Sequence, residues 1–148
     1  ISINLHCGKL LIRQKLILAI DSQNEQRQNN KTFLLFLPEN EYHELGLLYL
    51  NFLIRKQGHT VVYLGQNVPL VNLKNVLSSH RIDFFLTSIA SNLPEESVNE
   101  IVQELNNLYG DKQILIGGHC FQGSSISLPS NFKLFRNIPG FIEFLNTL

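Results

Sequence analysis

The chain has 148 residues, 44% of them hydrophobic and 16% charged, with 12 basic and 12 acidic side chains and a formal net charge of zero. That length can bury one sizeable core, and balanced charge supplies no net field to attract a polyanion, so no nucleic-acid-binding surface is visible. Cys7 and Cys120 are the only cysteines, one towards each end, which gives no sign of a disulfide framework and points to a reducing cytoplasm.

The first expected element is an apolar helix over residues 5–20. Arg13, Gln14 and Lys15 interrupt it, and the run is too short to span a bilayer, so it reads as a packing helix. From Asp21 to Asn30 no apolar residue is available to bury, the mark of a linker, with a domain boundary near Lys31. The chain also lacks methionine altogether, and is therefore expected to be a piece of something longer. Beyond the boundary, strands and helices alternate: strand 32–37 stopped by Pro38, helix 44–57 closed by Gly58, strand 60–64, helix 69–79, strand 83–89, helix 95–109 closed by Gly110, strand 113–116, strand 132–136 and helix 138–147. Five strands, most of them followed by a helix, predict a doubly wound α/β fold. Right-handed crossovers favour a flavodoxin-like (Rossmann-like) five-stranded parallel sheet of order 2-1-3-4-5. The expected division is 1–30, a helix plus linker, and 31–148, the α/β domain.

Ligands of such sheets bind outside the carboxyl ends of the strands, at the switch point beside the first strand. The loop leaving that strand reads Glu41-Tyr42-His43-Glu44-Leu45-Gly46. Glu41, two residues before His43, is close enough to accept a hydrogen bond from one ring nitrogen, which fixes the tautomer and frees the other nitrogen for a metal. Gly46 lets something bulky approach the helix start. The segment Thr87-Ser88-Ile89-Ala90-Ser91 and the pair Gly117-Gly118 end two further strands on the same edge. Taken singly, Ser88 reads as an ordinary strand end and Gly117-Gly118 as an ordinary strand-to-loop turn. The neighbouring His119 and Cys120 diverge as adjacent side chains and have no third ligand at metal-site spacing. His59 and His80, at a strand start and a helix end, read as solvated residues.

Order and spacing make the joint pattern more specific. Glu41-x-His43-x-x-Gly46, then Ser88-x-Ala90 after the interval 47–87, then Gly117-Gly118 after 91–116, resembles the signature of cobalamin-binding domains, Asp-x-His-x-x-Gly followed by Ser-x-Leu and Gly-Gly. The resemblance implies that His43 is the lower axial ligand to cobalt in place of the corrinoid's own dimethylbenzimidazole, with Glu41 as its hydrogen-bond partner. The displaced nucleotide tail would run in a deep channel, touching Ser88 and passing Gly117 and Gly118. Two departures stand out: glutamate replaces aspartate at Glu41, and alanine replaces leucine at Ala90. Glu44-Leu45-Gly46-Leu47-Leu48 and Tyr63-Leu64-Gly65-Gln66-Asn67-Val68-Pro69 look most like the cobalamin-binding sensor domains of MerR-type transcriptional regulators. Ile12-Arg13-Gln14-Lys15-Leu16 is similar to the last helix of the four-helix bundle that precedes the corrinoid domain there. That helix opens with a Glu-His pair over the upper corrinoid face. Here the matching positions are Leu5-His6, so His6 is the implied upper-face residue without its glutamate.

The function this implies is non-enzymatic, since no general acid, base or nucleophile stands out. It is that of a sensor binding adenosylcobalamin or methylcobalamin, whose ligand or light state controls homo-oligomerisation and the binding of DNA by an N-terminal domain lying outside this sequence. Two other classes stay open: a corrinoid-carrier module of a methyltransferase or mutase, and a degenerate domain kept as an oligomerisation element.

Overall fold

The structure is a computed structural model that describes residues 2–23 and 31–148, with side chains from Cys7 onward. Its first element, α1 (Ser2–Asp21), is longer at both ends than the apolar run predicts. The expected linker lies outside the described residues from position 24 to position 30.

The next strand, β1 (Thr32–Pro38), is an interior strand of the sheet, paired on both sides. Its residues Phe33 to Leu37 are all fully buried, because both faces of the strand are covered; an unbroken Phe/Leu run suits that position better than an alternating pattern. The helix α2 (Glu44–Lys56) follows, with Glu44 in its first turn and Arg55 and Lys56 in its last, each sign matching the helix dipole. Gly58, at φ 84°, turns the chain out of the helix into β2 (Thr60–Val68). A 3-10 turn (Leu70–Asn72) leads into the short α3 (Leu73–Leu77), and then come β3 (Phe84–Ser88), α4 (Glu95–Tyr109), β4 (Gln113–Gly117), β5 (Phe132–Leu134) and α5 (Ile138–Leu145). All four strand pairings are parallel and the order is β2-β1-β3-β4-β5, as expected from the alternation of elements.

Strand alternation divides the core in two. On one face α2 and α5 set Leu47, Leu50, Ile54, Phe141 and Leu145 against Phe33, Leu35 and Leu37. On the other, α4 and the segment around α3 pack Val98, Val102, Leu105, Leu70 and Leu73 against Leu34, Phe36, Phe85 and Ile114. No helix among the described residues is long and apolar enough to cross a membrane.

Beyond α1, β5 and α5 end two residues earlier than expected, and two elements depart further from the sequence expectation. The helix expected over 69–79 begins as a 3-10 turn and continues only from Leu73 to Leu77. The strand expected to end at residue 64 runs on to Val68 across an irregular register, Phe36 pairing with Gly65 and Pro38 with Val68. Gly65, at φ 82°, adopts the left-handed conformation that permits this bend.

Candidate functional site: a histidine loop beneath helix α1

Pro38 ends β1, and the loop that follows reverses the chain before α2. It is anchored from inside by Glu41, a carboxylate with only 3% of its side chain exposed. Oε1 accepts hydrogen bonds from the amides of Tyr42 and His43, both at 3.0 Å, and lies 2.6 Å from His43 Nδ1. Oε2 reaches to the end of β3, accepting from the amides of Ala90 (2.9 Å) and Ser91 (2.8 Å). Burial alone pushes the Glu41 carboxyl up; the Ser91 and His43 amides, the His43 ring and Ser91 outweigh it and hold the group at about 2. At neutral pH Glu41 is an anion, so Nδ1 carries the proton it donates and Nε2 is the nitrogen left for a metal. Ser91 Oγ lies 3.3 Å from the same Nδ1, while the imidazole remains 62% exposed at the mouth of the loop.

That mouth opens into a cleft of about 660 Å³ between α1 and the carboxyl edge of the sheet. Lys9, Leu10 and Arg13 of α1 form one wall, Tyr42 to Gly46 the opposite one, and Gln66, Ser88 and Ala90 complete it. Gly46 faces open space: a Cβ there would meet no atom within 4 Å. The helix is tied across the cleft by Glu44, which accepts from Arg13 Nε at 3.2 Å and from Tyr63 Oη at 2.9 Å. Burial, and then the Glu44 charge, raise the Tyr63 phenol above its ordinary value, so it acts as a neutral donor.

The structure thus brings Glu41, His43, Gly46, Ser88 and Ala90 to one place. Ala90 takes part through its amide, which donates to Glu41 Oε2, as well as by lining the cleft. Gly117 and Gly118 sit apart from the cleft. A Cβ on Gly117 would lie 2.6 Å from the Phe135 ring, and one on Gly118, at φ 124°, would lie 2.1 Å from the Ile89 carbonyl oxygen. The space directly against these glycines, where the resemblance implies a channel, is thus taken up by an aromatic ring and a backbone, and the cavity of about 210 Å³ nearby is lined by Leu115, Phe135 and Phe141. His6 lies outside the residues whose side chains are described. The sequence did not single out Ser91, Lys9, Arg13 or Phe135 as site residues; Ser91 and Arg13 carried a signal, each lying in a segment that resembles part of the family pattern or adjoins it.

Cys120, beyond the glycine pair, is a half-buried free thiol raised to about 11, chiefly by burial, and so is protonated rather than reactive at neutral pH. Among the described residues, no three His, Cys, Asp or Glu side chains gather as a protein-only metal cage.

The residues that are present fit the part of a corrinoid site that supplies the lower ligand to cobalt. An outward-facing imidazole with a charged partner on its inner nitrogen is a suitable donor for cobalt, and an open glycine beside it leaves room for a planar ring. The tail half does not show the same fit.

The five-stranded parallel sheet of order 2-1-3-4-5, with helices on both faces, is a Rossmann-like fold. It is similar to the methanol:cobalamin methyltransferase complex MtaBC from Methanosarcina barkeri, with a TM-score of 0.61 and 14% identity, covering 78% of this chain and 45% of that one. It is also similar to a novel cobalamin-binding protein from Desulfitobacterium hafniense DCB-2, with a TM-score of 0.49 and 22% identity, covering 62% of this chain and 45% of that one. In sequence the chain is 26% identical over 114 residues to the HTH-type transcriptional repressor CarA of Myxococcus xanthus, a match covering 76% of this chain and 39% of the repressor. The chain thus spans well under half the length of the curated relative. No family model matches it.

Proposed function

We propose that the chain is the corrinoid-binding sensor part of a MerR-type transcriptional regulator, with His43 as the lower axial ligand to cobalt. The observation that carries this reading is the Glu41–His43 pair: a buried, fully engaged carboxylate 2.6 Å from Nδ1, and a ring whose other side faces the cleft. One protein ligand suits a metal whose equatorial positions a macrocycle supplies. The bound corrinoid would contribute a cobalt centre whose upper ligand can be exchanged or lost. The protein's own contribution is to fix the imidazole and to close α1 over the ring through Arg13 and Glu44.

A regulatory rather than catalytic role is supported by the similarity to a transcriptional repressor. In this reading residues 1–30 are the last helix of a bundle and its linker. The exposure of Leu11, Ile12 and Leu18 on α1 supports that assignment, since a helix apolar on several sides is built to be packed. Ligand state, read by α1, would bias self-association and DNA binding by a domain outside this sequence.

The test is an equilibrium absorption titration with hydroxocobalamin and with diaquacobinamide, on the wild-type chain and on His43→Ala. A histidine-ligated spectrum for either corrinoid is expected, and it should be lost in the variant. A folded wild-type chain that changes neither corrinoid's spectrum overturns the proposal.

A further inference from the structure

Phe135 occupies the place where a tail channel is implied. Ser88 and Gly117 are register partners on β3 and β4, and by alternation they share the sheet face of Leu86 and Leu115, the face covered by α2 and α5. Gly117 has no side chain, yet it is buried, because the ring of Phe135 lies across it with Cε2 and Cζ both 2.6 Å from where a Cβ would be. The ring is held there by its surroundings. The Phe135 amide donates to the Ile116 carbonyl at 3.0 Å, its ring centroid is 5.2 Å from that of Phe141, and it packs on the apolar cluster containing Leu115. Gly118 offers no detour, since the Ile89 backbone presses against it. The open cleft reaches Ser88 and Ala90 and includes neither glycine.

The geometry points to Phe135 as a specificity-determining residue: its ring fills the floor on which a corrinoid's nucleotide base would rest, so the site takes a corrinoid with a truncated tail in preference to a complete cobalamin. This rests on the corrinoid reading of His43 and narrows its ligand class. A macrocycle without the nucleotide needs only the cleft at His43. One that carries the nucleotide must first displace an aromatic ring from a packed cluster, and steric discrimination of that kind is worth about tenfold or more in affinity.

Absorption titrations of hydroxocobalamin and diaquacobinamide against wild type, Phe135→Ala and Phe135→Leu decide the matter. Wild type is expected to bind the cobinamide about tenfold or more tightly than the cobalamin, and Phe135→Ala to recover about tenfold of cobalamin affinity with little change for cobinamide. Phe135→Leu keeps the cluster filled and gives the same trend at smaller size, so the comparison survives if the alanine variant does not fold. Equal or tighter binding of cobalamin by wild type, or variants that shift both ligands alike, would overturn the role of Phe135 and leave the corrinoid reading standing. If neither corrinoid binds wild type, both readings fall together.

Discussion

Glu41 does more than its spacing from His43 implies. Its two oxygens take up four backbone amides and one imidazole, joining the loop after β1 to the end of β3. Because its carboxyl is held at about 2, below the ordinary 4.5, it contributes stability that is fully present above about pH 4.5 and is lost as pH falls towards 2. The linkage amounts to roughly 3 kcal/mol. Denaturant unfolding of the corrinoid-free protein at pH 7 and pH 3 is expected to show about 2 kcal/mol of that loss in wild type. In Glu41→Gln this acid-dependent contribution should disappear, with about 1–3 kcal/mol already lost at pH 7, since the NH2 of the carboxamide cannot accept from whichever pair of backbone amides it faces. The same variant should weaken cobalt ligation by about 10- to 100-fold, the usual effect of removing the partner of a metal-binding histidine. The carboxylate–imidazole contact was legible from the two-residue spacing. The reach to Ala90 and Ser91 was not, because it depends on how far the loop turns back over β3.

At the level of elements, the alternation of strands and helices and the sheet order were legible, since each strand is a short apolar run bounded by Pro, Gly or polar residues. The misjudged segments are those where tertiary contacts overrule local pattern. The strand β2 continues past residue 64 because Gly65 and Asn67 take positive φ and let the pairing with β1 resume at Val68 opposite Pro38, which periodicity does not encode. The docking of α1 likewise rests on a pair 31 residues apart, Arg13 and Glu44, with Tyr63 as third member. Arg13 is 48% exposed, so Arg13→Ala should change global stability by less than about 1 kcal/mol. Glu44→Ala removes the acceptor of a half-buried phenol as well, and should cost about 1–3 kcal/mol. Both variants are expected to speed hydrogen exchange in α1 while leaving β1 protected. Equal exchange in wild type and variants would show that the contact does not hold the helix.

Across the whole molecule, the cleft joins two parts of different solidity. The sheet domain has a core on both faces, and β1 is buried from Phe33 to Leu37. By contrast, α1 leans on it with Leu11, Ile12 and Leu18 more than half exposed. A ligand that touches both His43 and Lys9, Leu10 or Arg13 therefore binds the docked arrangement more tightly than the undocked one, and stabilises it by the difference. Saturation at about 100 times the dissociation constant adds close to 2.7 kcal/mol to the stability of whatever unit holds the ligand. If that unit includes α1, hydroxocobalamin or diaquacobinamide should raise the melting temperature and slow exchange in α1 and β1 together. With Glu44→Ala the ligand should still bind through His43 but protect the sheet more than the helix. Protection confined to the sheet domain in wild type would mean that the corrinoid is held by the histidine loop alone. The coupling from ligand to helix, on which a sensor depends, would then be absent.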